Sequence, residues 1–431
     1  MAPDPSELIA DGPMKWRQTL VVAIAVCLFA LDGFDVLAVS FAAPGITTEW
    51  GIDRQALGVV LSMELLGMAL GSIALGGVAD RIGRRQTTLG CLVLMTLGMT
   101  LATGANSVYS LCVWRVLTGI GIGGMLAAVS ALTAEFSSRR RRDLAVALMA
   151  VGYPLGAIAG GSIAAVLLSH SDWRSVFGFG AIATAAFLPV VFAGVPESVP
   201  WLCRRQPRAA LARVNRTLAT LGYPQVAGLS PVNDGGRRAP LVRLFRPDLA
   251  STTLLVTAAY FLHITTFYFI LKWVPKIVFD MGFPAGTAAG VLVWANVGGA
   301  TGGTVVGLLS GRVGLRALTI MALVASAVMV TVFGAVPADL RSLSVVCAVA
   351  GFCTNGGVVG LYGLLARAFP PEVRSSGTGF ALGVGRGGAI IAPVLAGALF
   401  KAGYSLQTVA EVMAAGSLLA AVALARLRVA H

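Results

Sequence analysis

Residues 19–44 read TLVVAIAVCLFALDGFDVLAVSFAAP. The run is apolar and long enough to cross a bilayer, for which about 20 residues suffice. Yet Asp32 and Asp35 sit near its middle. A carboxylate in hydrocarbon costs roughly 2.5–3.5 kcal/mol on insertion scales. Two of them three residues apart fall on one side of a helix. That side must face protein or water. An intramembrane acid is by default a proton, ion or substrate site.

The rest of the chain repeats the apolar pattern. Of its 431 residues, 57% are hydrophobic and only 12% charged, against about 25% charged in a soluble domain. This composition is that of an integral membrane protein. Apolar windows of spanning length fall at roughly 19–43, 55–78, 86–105, 110–134, 144–168 and 175–195. Six more fall at roughly 250–272, 285–309, 317–336, 342–365, 376–400 and 406–426. The expected division is a cytoplasmic tail over 1–18, a six-helix bundle over 19–199, a linker over 200–248 and a second six-helix bundle over 249–431. The linker is rich in Arg and carries one short amphipathic helix around 208–221. The apolar run after residue 18 is too long for a signal-peptide core, so it is a span that stays.

Orientation follows from the Lys and Arg residues. With the N-terminus in the cytoplasm, most of the 32 lie in the even-numbered connections and the termini. The odd-numbered connections hold Arg54, Arg174, Lys272, Lys276, Arg341 and Lys401, and Arg115 and Arg386 lie inside spans. Both termini are therefore expected in the cytoplasm, in the inner membrane of a cell. The net charge of +13 is this orientation signal plus a basic loop, and gives no reason to expect nucleic acid. Arg139–Arg142 and Arg237, Arg238, Arg243 and Arg246 suit anionic lipid headgroups. The six Cys show no metal or disulfide spacing. No phosphate loop, metal-ligand cluster or nucleophile motif points to an enzyme, and no cofactor is expected beyond a proton gradient.

The two halves repeat. One ungapped shift places Pro44 on Pro275, Gly67 on Gly298, Gly71 on Gly302, Gly76 on Gly307, Arg81 on Arg312, Gly83 on Gly314 and Arg85 on Arg316. Such a repeat places substrate sites near the bilayer midplane.

Gly76-Gly77-Val78-Ala79-Asp80-Arg81-Ile82-Gly83-Arg84-Arg85 resembles the hallmark loop of the major facilitator superfamily. Its second copy, Gly307 to Arg316, is degenerate. The resemblance implies a gating role for Asp80, Arg81, Gly83, Arg84 and Arg85; the plainer reading is that the arginines only set topology. Arg115-Val116-Leu117-Thr118-Gly119-Ile120-Gly121 is similar to the superfamily's second motif, which implies a part for Arg115 in proton transfer. An arginine near a span end can also snorkel.

Asp32-Gly33-Phe34-Asp35 and Gly383-Val384-Gly385-Arg386-Gly387-Gly388 resemble the DGxD and GVGRxG runs of the aromatic acid:proton symporter family. Pro196-Glu197-Ser198 is similar to a segment shared with sugar porters, and Tyr268 to Pro275 to the family's seventh-span exit. The resemblance implies uptake of an aromatic carboxylate with a proton, Asp32 and Asp35 being essential acids. The expected architecture is an all-α membrane protein of twelve transmembrane helices in two six-helix bundles, working by alternating access as a monomer. Arg386, always charged, suits a carboxylate or a standing ion pair. Glu64 departs from the family pattern; it is a second proton carrier, a partner for Arg115, or a packing residue. Glu135 and Glu411 are expected at interfaces.

In span seven, Tyr260, His263 and Phe267 share a face and are candidates for substrate contact. Trp294, Asn296, Asn355 and Tyr362 are polar or amphipathic groups in apolar runs, equally suited to ligand or interhelical contacts. The Gly152 to Gly161 run is similar to a fifth-span motif of proton-coupled drug exporters. It keeps export open, and also suits close packing against span eight. A carrier for another small organic anion, a channel or a sensor are the remaining alternatives.

Overall fold

The computed structural model describes residues 5–229, 241–247, 249–370 and 373–427. Arg237 and Arg238 lie outside them. The helices are α1 (Pro5–Asp11), α2 (Trp16–Trp50), α3 (Arg54–Ile82), α4 (Arg84–Thr103), α5 (Val108–Glu135), α6 (Arg142–His170) and α7 (Arg174–Gly194). They continue with α8 (Val199–Arg205), α9 (Ala210–Leu221), α10 (Ala250–Asp280), α11 (Ala285–Val313), α12 (Leu315–Ala335), α13 (Leu340–Ala368), α14 (Arg374–Lys401) and α15 (Leu406–Arg426). Among the described residues twelve helices are long and apolar enough to cross a membrane: α2 to α7 and α10 to α15. The linker holds α8, α9 and a 3-10 turn over Leu241–Phe245. The amphipathic helix expected there is α9, which buries Val214, Leu218 and Leu221.

Two helices run further than their apolar windows, α2 to Trp50 and α10 to Asp280. Pro44 and Pro275, equivalent in the repeat, both lie inside helices. A proline removes one backbone donor. After Pro44, the Thr47 and Thr48 hydroxyls donate to its carbonyl at 2.8 and 3.0 Å. The continuation of α10 to Asp280 carries Lys272 and Lys276 within the helix. Lys272 is fully buried, which corrects its assignment to a connection.

The chain forms two compact units. The first comprises Met1–Val36, Leu66–Gly156 and Phe177–Gly236. The second comprises Leu37–Leu65, Ala157–Val176 and Arg237–His431. The division runs through α2, α3 and α6. In the first unit α2 and α6 meet backbone to backbone. A Cβ at Gly33 would lie 2.0 Å from the Tyr153 carbonyl oxygen, and one at Gly156 1.7 Å from that of Ala30. The start of the Gly152–Gly161 run thus packs on α2. In the second unit Gly161 meets Val293 of α11, the contact with span eight expected from sequence.

Candidate functional site

The acids of α2 are buried, Asp32 at 2% exposure and Asp35 at 0%. The contact of Gly33 with α6 fixes this turn of α2, so neither carboxylate can turn outward without breaking it. Asp32 is within electrostatic reach of Cys91 on α4. Asp35 faces α7, where a Cβ at Gly180 would lie 3.2 Å from its Oδ1. Arg115 of α5 is fully buried and does not snorkel. Its Nη2 donates to the Asp35 carbonyl at 2.9 Å, its Nη1 approaches Met99 Sδ at 3.1 Å, and its guanidinium stands 5.3 Å from the Phe177 ring centroid. The first unit therefore buries two carboxylates and one guanidinium, the acids within one turn of α2 and Arg115 bonded to the backbone of Asp35. If both acids are ionised, the three sum to one negative charge, which one proton cancels.

At another level of the same unit, the α3–α4 loop forms a charged network. Arg84 is buried between Asp80 at 3.0 Å and Glu135 at 3.3 Å. Glu135 also pairs with Arg204 at 3.3 Å and accepts from the Ser198 hydroxyl. Glu197 Oε1 accepts from the Arg84 and Arg85 amides at 2.8 and 3.2 Å. Gly83, at φ +111°, lets the loop turn against that carboxylate, since a Cβ there would lie 2.3 Å from Glu197 Oε2. Arg85 donates to the Phe192 carbonyl at 2.5 Å, and Arg81 is exposed. Glu135, expected to be interfacial, is thus also a partner of two arginines. Nothing in its local sequence reveals that.

The second unit holds the aromatic candidates. The Tyr260 and Tyr362 hydroxyls are 3.2 Å apart, with ring centroids at 5.7 Å. A Cβ at Gly385 would lie 1.9 Å from the Tyr260 ring, so the glycines beside Arg386 let α14 close on α10. Arg386 is within electrostatic reach of Tyr260 and of Tyr268, and Tyr268 is within reach of Glu64. Phe267 packs edge-on against Tyr268 at 5.4 Å. Three tyrosines, an arginine and an acid therefore share one neighbourhood. Tyr268 was not singled out as a site residue from sequence, because it lies off the Tyr260–Phe267 face.

The partner of Glu64 is Lys272, at 3.5 Å, with both side chains fully buried. Lys272 is not among the readings open for Glu64 from sequence, which are a proton carrier, a partner for Arg115 and a packing residue. The pair stands within a contact of α3 with α10 and α14. Ser62 donates to the Ile390 carbonyl at 2.8 Å. Arg54 pairs with Asp280, and Asp53 with Lys401, each at 3.0 Å.

Three further candidates have partners within the protein. His263 is fully buried, with Nδ1 2.8 Å from the Ser417 hydroxyl and Nε2 2.8 Å from the Thr354 carbonyl. Both ring nitrogens are used in tying α10 to α13 and α15, so it offers none to a ligand. Asn296 donates to the Leu292 carbonyl of its own helix, and Asn355 to Gly299 of α11 at 2.6 Å. Both act as packing contacts. Trp294 is half exposed on α11, in line with Thr301 and Leu308 at seven-residue intervals. No group of three or more metal-ligating side chains occurs among the described residues.

The chain belongs to the Major Facilitator Superfamily, whose model matches residues 24–304 and 256–431. It is 31% identical to the gallate transporter of Pseudomonas putida over 98% of this chain and 94% of that protein. It is 29% identical to the 4-hydroxybenzoate transporter PcaK of Pseudomonas putida, over 97% of this chain and 94% of that one. Its fold is similar to a crystal structure of a D-xylose-proton symporter, with a TM-score of 0.72 at 18% identity, covering 95% of this chain and 97% of the other. The family and these relatives are transporters, not enzymes.

Proposed function

We propose that this transporter imports a small aromatic carboxylate with a proton, by alternating access between residues 19–199 and 249–431. Both termini would be cytoplasmic, in the inner membrane. The buried set of Asp32, Asp35 and Arg115 carries the reading, because one proton brings it from one negative charge to none. A charge change of that size alters the cost of excluding water from a buried site. A coupling proton can act only through such a difference between states.

Arg386 receives the substrate carboxylate, and Tyr260, Tyr268, Tyr362 and Phe267 receive its ring. A guanidinium matches a carboxylate with two parallel donors. Tyrosine offers a ring face together with a hydroxyl, which suits benzoate-like acids and their hydroxylated forms. The relatives named for gallate and 4-hydroxybenzoate support that class. The Asp80–Arg84–Glu135 network is the cytoplasmic gate. Glu64 and Lys272 hold α3 against α10 within the span.

The test is uptake of labelled aromatic acids into proteoliposomes under an imposed inward proton gradient. Saturable, gradient-driven uptake of one acid, abolished in Asp35→Asn, is the expected result. Proton-driven efflux of unrelated compounds, with no acid taken up, would turn the reading to export.

A further inference from the structure

A cavity in the first unit lies away from the buried acids, where α2 begins, α7 ends and α9 lies across them. It encloses about 600 Å³ and is lined by Arg17, Arg85, Arg213 and Arg216, with Glu197 as an acidic member. Glu197 is already engaged: one of its oxygens accepts from three backbone amides, those of Arg84, Arg85 and Ser198. Arg213 and Arg216 have no ion-pair partner among the described residues. Four guanidiniums thus meet one carboxylate.

The spacing in α9 is part of the design. Arg213, Arg216, Thr217 and Thr220 follow i, i+3, i+4 and i+7, one helical face, and all four line the cavity. The adjoining face of α9 buries Val214 and Leu218, and Leu221 lines the cavity next to it. The helix is therefore held with its cationic face toward the opening. Guanidiniums with nearby hydroxyls are the donor set of a phosphate or phosphodiester site.

The walls decide which phosphate. Leu20, Val190 and Phe192 line the same cavity and are exposed at 39%, 42% and 66%. They belong to α2 and α7, two membrane-spanning helices. Trp16, at the start of α2, is also exposed, as suits an interfacial anchor. A free phosphate would use the arginines and leave that apolar surface bare. A lipid uses both. We propose that this cavity binds the headgroup of an anionic glycerophospholipid, its acyl chains lying along α2 and α7. The site also touches the gate, because Arg85 lines the cavity and follows Arg84 of the Asp80–Arg84 pair in the first turn of α4.

The experiment is native mass spectrometry of the full chain, delipidated and then offered phosphatidylglycerol, phosphatidylcholine or inorganic phosphate. Wild type should retain phosphatidylglycerol in preference to phosphatidylcholine. Arg213→Gln/Arg216→Gln should weaken that retention roughly thirty-fold, taking about 1 kcal/mol for each arginine at a membrane surface. Both residues are exposed, so the fold should tolerate the change, and Arg213→Lys/Arg216→Lys should keep most of the binding. Arg312→Gln/Arg367→Gln removes equal charge from exposed positions outside the cavity and should leave retention intact. Equal retention of the two lipids would overturn the proposal, as would displacement of lipid by inorganic phosphate. Equal loss in the Arg312/Arg367 variant would reduce the effect to general surface charge and overturn it as well.

Discussion

Glu64→Gln removes the carboxylate 3.5 Å from the Lys272 ammonium while nearly preserving side-chain volume. At that distance and an effective dielectric of about 20, Coulomb's law gives about 5 kcal/mol. Removing one partner of a buried pair costs roughly 3–5 kcal/mol, so the two figures agree. The loss falls on the arrangement in which α3 lies against α10, because separation of the helices admits water to the ammonium. The packing equilibrium should shift toward separation by roughly a hundred- to a few-thousand-fold. Ser62 reports that shift: it is fully buried, and its hydroxyl donates to the Ile390 carbonyl of α14. In a Ser62→Cys background, the assay is the rate at which a membrane-impermeant maleimide labels the peptide containing residue 62. Glu64→Gln should raise that rate by about a hundredfold or more. Adding Lys272→Met should bring it back, since a well-packed apolar replacement for a buried pair is often neutral or stabilising. Unchanged labelling in Glu64→Gln, or rapid labelling that persists in the double variant, would refute the reasoning.

His263→Ala should lower thermal stability and leave the KM for substrate near wild type. It deletes two buried hydrogen bonds, at about 1 kcal/mol each, and opens a void. A raised KM with unchanged melting would return His263 to the substrate site. Asp53 gives a pH test. The Ala56 amide and then Lys401 hold its carboxyl below the usual carboxylate range. A depressed value means that its contribution is present above the unfolded value of about 3.9 and is lost only as pH falls through the lower folded value. Asp53→Asn should therefore leave the shape of the uptake profile unchanged between about pH 5 and 8. A displaced midpoint in that window would be the contrary result.

The helices were legible because hydrocarbon leaves little choice: a spanning segment must satisfy its own backbone and present apolar side chains. Their ends were less legible. A proline signals a stop in most contexts, but Pro44 and Pro275 sit within continuing helices. The apolar run shortens at Lys272, and an average over composition reads that as the edge of the membrane. It is instead a buried charge whose partner lies 208 positions away. Pairings of that kind are set by tertiary packing and leave no local pattern. Glu135 with Arg84 is a second case, since each residue alone looks like an ordinary helix-end charge.

The distinction runs through the candidate site as well. Asp32, Asp35 and Arg115 stood out because each is expensive in an apolar span, and expense in one sequence is visible without knowing the fold. Burial in the structure bears on all three. His263, Asn296 and Asn355 stood out less sharply, because a neutral polar group can be satisfied by one carbonyl on a neighbouring turn or helix. That is where the structure places all three. Charge therefore separates candidates better than polarity does inside a membrane. An ionised group needs a partner of comparable strength or a proton, and both requirements point toward function. An amide or imidazole needs only a backbone oxygen, which every packed helix supplies. By that criterion Glu64 and Lys272 rank with the α2 acids, and Tyr260 and Tyr268 rank above His263, because the Arg386 charge lies within reach of both.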